Sequence, residues 1–395
     1  MSLLAIDLDY LAGALEALLA IPSPTGYTDA IARHVCLELE RLGVAYEVTR
    51  RGAIRARLPG AVTRPARAFV SHVDTLGAQV KALKDNGRLE LVPIGHWSAR
   101  FAEGARTTVF TEEGAYTGTI LPLRASGHTF NTGVDELPIG WDHVELRIDA
   151  YARSKADLNR LGVDVGDIVA IHPCPEFLDN GFIVSRHLDN KAGVAVMLAA
   201  LKALVEAKAQ PTVDVFWLFT IAEETGHGAA SILTPEIASL VAIDNGTTAP
   251  GQNSDEFGVT ISMADQTGPF DYHLTRKLAH LCRDNDIKWQ KDVFRFYRSD
   301  AASAVEAGAD VRTALVTFGV DASHGYERIH MHALRSLAEL AVCYATSPVE
   351  ITRDATEFGS LKGFTTQPTR DAEQSLHPDT RRPERPEDDS GPEHG

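Results

Sequence analysis

Residues 213–224 read VDVFWLFTIAEE. After Asp214 the run carries no charge and no polar alternation until two glutamates end it. A strand with apolar side chains on both faces is covered on both faces, as happens in a largely parallel sheet flanked by helices. The same pattern recurs three times. ARAFVS (66–71) is followed by His72 and Asp74, SLVAI (239–243) by Asp244, and TALVTFGV (313–320) shortly by His324. In an open α/β sheet the ligand crevice lies beyond the carboxyl ends of the strands. Four apolar strands that each end in an acid or an imidazole are therefore expected to converge on one edge of the sheet.

Outward from these runs the helices are legible by spacing. DNKAGVAVMLAALKALVEA (189–207) predicts a long helix that starts at Asp189, and DYHLTRKLAHLCRDN (271–285) predicts another. Near the start, Leu11, Leu15 and Leu18 share a face behind Asp9 as the expected cap. Thr28 is expected to cap a second helix with Ile31, Val35, Leu39 and Leu42 inward, stopped by Gly43. Strands VAYEV and AIRARL follow.

From Gly77 to Gly181 the texture changes to short β-like runs (RLELVPI, TTVFT, YTGTILPL, HVELRI, DIVAI, then GFIVS) separated by turns. Only SKADLNRLG looks helical, opened by Ser154 and Asp157 as a capping box. Short strands at close spacing predict a small antiparallel barrel or sandwich inserted into the α/β frame. The expected fold class is thus α/β, a mixed, largely parallel sheet flanked by helices with an inserted small all-β barrel. The expected division is 1–76 and 182–350 for the two parts of the α/β domain, 77–181 for the insert, and 351–395 for an acidic, Pro-rich tail. From Thr365 on, that tail has too few large apolar residues to offset its ordering entropy, and disorder is expected.

Composition narrows the function classes. The 395 residues carry 54 acidic against 38 basic side chains, a net charge of −16. The tail, with six basic and ten acidic residues, does not account for it. An acidic field argues against nucleic-acid or anionic-membrane partners. Cys36, Cys174, Cys282 and Cys343 form no CxxC pair, so neither a disulfide framework nor a thiolate zinc site is expected. With no apolar run long enough to span a bilayer and no basic, apolar leader, the expected location is cytoplasmic.

The residues at the strand ends point to metal chemistry. Two imidazoles with several carboxylates and no thiolate suit divalent zinc, cobalt or manganese. They are too many for one tetrahedral ion that keeps a water, and about right for two ions sharing a carboxylate. His72 and Asp74 are two apart on an extended segment and so point to one side, where Asp74 can accept the free imidazole N–H. Of the adjacent Glu223 and Glu224, one can ligate while the other serves as general base. Several residues keep a plainer reading at this stage. Asp189 could be only a helix N-cap, and Asp244 before Asn-Gly only a turn residue. His324, His330 and His332 are equal candidates by position. His227 is a rim candidate, and GPFDYHL either lines the pocket or packs.

The motifs SHVDTLG (71–77), SRHLDNKAG (185–193), FTIAEETGHGA (219–229), AIDNG (242–246) and DASHGYERIH (321–330) occur in this order across residues 1–350. Together they resemble the co-catalytic metallo-aminopeptidases of the glutamyl and deblocking type, relatives of the tetrahedral dodecameric aminopeptidases, with their zinc-exopeptidase-like fold. GQNSDEFGVTI and GPFDYHL are similar to the branch found beside genes for a glutaminylglutamine-amide osmoprotectant. The resemblance implies that His72, Asp189 and Asp244 hold one ion and that Asp189, Glu224 and His324 hold the other. It implies Glu223 as general base and acid, Asp74 as the residue orienting His72, and the insert as the module of dimeric up to dodecameric self-association. Asn190, where relatives often carry a second acid, departs from the pattern, as does the tail. The implied activity is removal of N-terminal residues from short peptides through a water shared by two ions. The alternative is a metal-dependent deacylase or amidase acting on an N-acylated small molecule or dipeptide, with the same ligands and a different pocket.

Overall fold

The computed structural model describes residues 3–368. A nine-stranded mixed sheet forms its frame. In spatial order it runs Ala45–Val48, Ile54–Leu58, Val213–Thr220, Val62–His72, Ile237–Thr247, Arg312–Val320, Val259–Asp265 and Gly268–Pro269, with Trp289–Val293 pairing on Val259–Asp265. The four central strands, Val213–Thr220 to Arg312–Val320, are mutually parallel, and antiparallel pairs lie outside them. All eight residues of Val213–Thr220 are buried, as its uninterrupted apolar run requires. The one acid in that strand, Asp214, sits at its start, where it meets Arg57 at 2.5 Å and accepts from Gly60 N–H.

Helices Leu8–Leu19, Leu188–Glu206 and Met331–Thr346 pack side by side, the middle one lying on the strands Val62–His72 and Ile237–Thr247. Nearly every residue of Leu188–Glu206 is buried, which explains why its sequence is apolar all round rather than amphipathic. Phe69 stacks on Trp217 at 4.8 Å and meets Tyr344 edge-on at 5.7 Å, joining sheet to helix.

Six strands close a second body: Gly77–Leu83, Leu89–Ile94, Val144–Ile148, Ala115–Pro122, Arg106–Phe110 and Ile168–Ile171, every neighbouring pair antiparallel. Its core holds Val80, Leu91, Val109, Ile120, Leu146 and Val169. Closure leaves no free strand edge, which suits a module whose strands are too short to support an open sheet.

Several local expectations need correction. The first helix is capped by Asp7, whose carboxylate accepts from Tyr10 N–H, and Asp9 lies in the first turn instead. Thr28 holds the N-cap position without a side-chain bond. The run GFIVS does not join the barrel. Phe182–Ser185 pairs antiparallel with Glu327–His330 in a separate three-stranded sheet, because that strand offers it a full register. Gly127–Phe130 adds a short helix to the insert that its glycine and histidine content did not announce. Ser154 does cap Lys155–Arg160, accepting from Asp157 N–H while Asp157 accepts from Ser154 Oγ. GPFDYHL packs: Phe270 is buried, and Asp271 caps Tyr272–Asp284 and pairs with Arg312. Of the segment assigned to the tail, Thr352–Ala355 forms a 3-10 turn and Asp354 pairs with Arg312 at 2.6 Å. The disorder expected from Thr365 onward falls almost wholly outside the described residues.

At the end of the sheet away from the His72 terminus, the buried Arg67 closes the last helix. Its guanidinium donates to the carbonyls of Tyr344, Ser347 (2.8 Å) and Pro348 (2.9 Å). They lie at and just past the helix C-terminus, where intrahelical donors run out and the Tyr344 carbonyl keeps only a 3.3 Å backbone bond from Ser347 N–H. Arg67→Met should lower the unfolding free energy by about 2–4 kcal/mol, because buried acceptors lose a charged donor. Denaturant titration of the variant against the parent chain measures it.

Candidate metal centre

The parallel register carries the four motif ends to one edge. His72 is the last residue of its strand, level with Thr220, and Glu223 and Glu224 lie in the turn just beyond Thr220. Asp244 lies in Ile237–Thr247 opposite Thr317 of the strand that leads to His324. His324 is delivered by a tight turn in which both Ala322 and His324 have left-handed φ, 59° and 64°. Asp189 stands where the long helix begins. Its backbone is extended (φ −72°, ψ 104°), and its carboxylate accepts from Asn245 Nδ2 at 2.6 Å.

Asp189 is the hub. Its Oδ1 lies 3.2 Å from His72 Nε2 and its Oδ2 lies 3.1 Å from His324 Nε2, so each oxygen faces a different imidazole. Around His72 Nε2 stand Glu223 Oε2 at 3.7 Å and Asp244 Oδ1 at 3.9 Å. Around His324 Nε2 stands Glu224 Oε2 at 3.9 Å. The adjacent glutamates thus diverge onto different histidines. The compact groups of ligand atoms, His72–Asp189–Glu224 and His72–Glu223–Asp244, nevertheless both include His72, and His324 lies outside them beside Asp189 and Glu224. His72, Asp189 and Asp244 are buried, while His324 keeps 31% of its side chain exposed and marks the open side.

The electrostatics fit a cation. Burial pushes the carboxyls of Glu223 and Glu224 well above the usual range, with Asp244 adding to the first and Asp189 to the second. Asp244 is pushed up to about 8 by burial and by Asp189. Burial also opposes ionisation of Asp189, but hydrogen bonds from His324 and His72 outweigh it and hold this carboxyl low. So many buried acceptors beside only two imidazoles call for more positive charge than the side chains bring. Glu224 Oε1 is buried without a hydrogen-bond partner among the described residues, as a metal-directed oxygen is without its ion.

Asp74 is fully buried beneath this group. Its carboxylate accepts from the backbone N–H of Glu223 (3.1 Å) and Glu224 (3.3 Å) and from Thr25 Oγ1 (2.6 Å). The nearest partner of His72 Nδ1 is the main-chain carbonyl of Asp74 at 2.9 Å, with the carboxylate at 3.5 Å. The expected carboxylate–imidazole bond is therefore largely replaced by a carbonyl, and the carboxylate ties the two strand ends together. Asn190 turns away from the ligand atoms and donates to the Ile243 carbonyl at 2.8 Å. His330 caps the last helix by accepting from His332 N–H, so neither competes with His324. His227 is exposed and belongs to no ligand group.

Three contributors were not visible in the sequence. Glu327, buried, accepts from the backbone N–H of Asp189 (3.1 Å) and of His324 (2.9 Å) and so sets the separation of the two. His324 Nδ1 bonds the carbonyl of His96, a residue just past a barrel strand, at 2.9 Å. Asp300 holds the Glu223–Glu224 turn from behind through Thr220 Oγ1 (2.5 Å) and Ala229 N–H (2.7 Å). Gly228 lies so close that a Cβ there would come within 1.9 Å of the Asp300 carboxylate. The only hint of these was the acid three residues after His324 and the glycines of ETGHG.

Residues 52–340 match the family described as M42 glutamyl aminopeptidase. The chain belongs to that family. A putative aminopeptidase of Bacillus subtilis, YhfE, is 35% identical over 85% of this chain and 97% of its own length. A lysyl aminopeptidase of Pyrococcus furiosus is 23% identical over 61% of this chain and 68% of its own. Among solved structures, the TET1 peptidase of Pyrococcus horikoshii has the same fold, with a TM-score of 0.75 at 24% identity over 86% of this chain and all of that one. That protein assembles into a tetrahedron or a large octahedral shell. As an M42 peptidase the chain is a peptide-hydrolysing enzyme, in agreement with its motifs and with the α/β frame and closed barrel.

Glu327→Gln should replace one acceptor by a donor and let Asp189 and His324 drift apart. Loss of such support typically weakens metal binding by roughly 10- to 100-fold. Competition with a chromophoric chelator reads the change.

Proposed function

We propose that the chain is an aminopeptidase with two divalent ions per subunit, the first held by His72, Asp189 and Asp244 and the second by Asp189, Glu224 and His324. The observation that carries this reading is the division of the Asp189 carboxylate, one oxygen towards each imidazole. The donor set, nitrogen and oxygen without sulfur, suits zinc or cobalt, and manganese as well. Such a pair supplies Lewis acidity towards a peptide carbonyl and makes water a competent nucleophile at neutral pH.

The remaining work belongs to the chain. Glu223, its carboxyl raised by burial and Asp244, takes the proton of the attacking water and returns it to the leaving amine. Asp74 fixes where Glu223 and Glu224 begin, so that the base and its neighbour reach different imidazoles. The His96 carbonyl holds His324 with Nε2 towards Asp189. The half-open side at His324 admits a short peptide.

The same reading takes 77–181 as an inserted module that serves self-association as well as the site, supported by the closed barrel and by the assemblies of the TET1 relative. It places the protein in the cytoplasm, in keeping with the acidic composition; among the described residues no helix is long and apolar enough to cross a membrane. A link with osmoprotectant metabolism rests only on the likeness of GQNSDEFGVTI and GPFDYHL to that branch.

Metal-stripped protein should hydrolyse no aminoacyl-p-nitroanilide, and adding back Zn²⁺, Co²⁺ or Mn²⁺ should restore cleavage; chelator-resistant turnover rejects the metal reading. Glu223→Gln should lower kcat by about 100-fold or more, the scale of a lost general base, with metal content kept. Normal turnover in that variant removes Glu223 from the role.

A further inference from the structure

We propose that a cavity at the amino ends of the central strands binds a small organic anion, a carboxylate or a phosphate, with Arg276 gripping the charged group. The site is separate from the metal centre, and the inference does not depend on the aminopeptidase reading.

The cavity has a volume of about 710 Å³, within the range of small-molecule sites. It is lined by Arg67, Ser239 and Arg312, which stand level with one another near the starts of three neighbouring parallel strands. Those strands go on to carry His72 and Asp244 and to lead towards His324. Cavity and metal centre therefore lie at opposite edges of the sheet. Helix Tyr272–Asp284 adds Tyr272, His273, Arg276, Lys277 and His280. The rest of the lining comes mainly from residues 349–354 and 365–368. That part lies past residue 340, where the match to the family ends, so family membership does not account for the cavity.

The chain as a whole is acidic, yet this lining gathers Arg67, Arg276, Lys277 and Arg312 together with two imidazoles. The acids nearby are largely committed. Arg312 takes Asp271 at 2.9 Å and Asp354 at 2.6 Å. Glu350 lies 3.5 Å from Lys277, which also donates to the Pro348 carbonyl at 2.6 Å. Burial, and then the charge of Arg67, push Lys277 down to about 8, as expected of a sheltered cation beside another.

Arg276 has no acid partner among the described residues. Its guanidinium lies 3.5 Å over the Tyr272 ring, which holds it flat. Its side-chain hydrogen bonds both leave from Nη1, to the Tyr272 carbonyl at 3.3 Å and to Thr275 Oγ1 at 3.4 Å. The edge formed by Nε and Nη2 has no partner among the described residues. That edge can grip an oxyanion through two parallel N–H bonds. Leu274, Val349 and Ile351 offer the carbon skeleton of such a ligand an apolar surface.

Titration calorimetry of the metal-loaded full-length chain tests the proposal with two anions and their neutral counterparts: glutarate with glutaramide, and phenyl phosphate with phenol. At least one anion should bind with a Kd of about 1 mM or tighter, and its neutral counterpart should not. The tighter anion tells whether the site takes a carboxylate or a phosphate. Arg276→Met should weaken that binding by about tenfold or more, the scale of a lost charge-assisted bond. Arg276→Lys should keep part of it. An anion held at the metal centre would bind equally to parent and variant, so the difference between them reports the cavity. The unfolding midpoint of Arg276→Met without ligand should stay close to that of the parent, which separates lost binding from lost fold. Binding of neither anion, equal binding of the neutral counterparts, or binding undiminished in Arg276→Met overturns the proposal.

Discussion

The structure is organised around one carboxylate that serves two directions at once. Asp189 presents Oδ1 to His72 and Oδ2 to His324, and everything nearby keeps those two approaches apart. Asn245 donates to the side chain, Glu327 holds the main chain, and the extended backbone at Asp189 aims it away from the helix it precedes. Had this residue capped the helix in the usual way, its oxygens would have been spent on backbone N–H groups. The buried helix Leu188–Glu206 matters because it fixes the base from which Asp189 projects.

The second organising fact is parallel register. Strands that run the same way end on the same side, so four unrelated stretches of sequence deliver their polar ends to one place. Their apolar bodies are buried on both faces, which leaves the carboxyl edge as the place where acids can gather. Gathering them is unfavourable without added positive charge, as the raised Glu223, Glu224 and Asp244 carboxyls record. Stability elsewhere in the frame, in the Phe69–Trp217–Tyr344 stack and in Arg67 at the far end, holds that congested edge in place.

The barrel is more than an appendage to this frame. It lends the His96 carbonyl to His324, and Trp97 and Ile171 to the wall beside Asp189 and His324, so the open side of the centre is shared between two bodies. Loops that join rigid elements commonly carry such contacts, since they can reach where strands cannot.

Local pattern alone determined a good part of this protein. Uninterrupted apolar runs announced the buried strands, the acids and imidazoles at their ends marked the candidate ligands, and short turn-bounded runs announced the barrel. These are properties of neighbours along the chain, where burial and periodicity leave a direct trace. The tertiary structure alone decided what depended on distant pairing. It moved Phe182–Ser185 out of the barrel and into register with Glu327–His330, and chose His324 over His330 by giving the latter a helix to cap. It also turned Asp74 towards the backbone of Glu223 and Glu224, and set Glu327 between two residues more than a hundred positions apart. An acid that serves backbone N–H groups looks in sequence like any other acid, because its partners come from elements that only folding brings together.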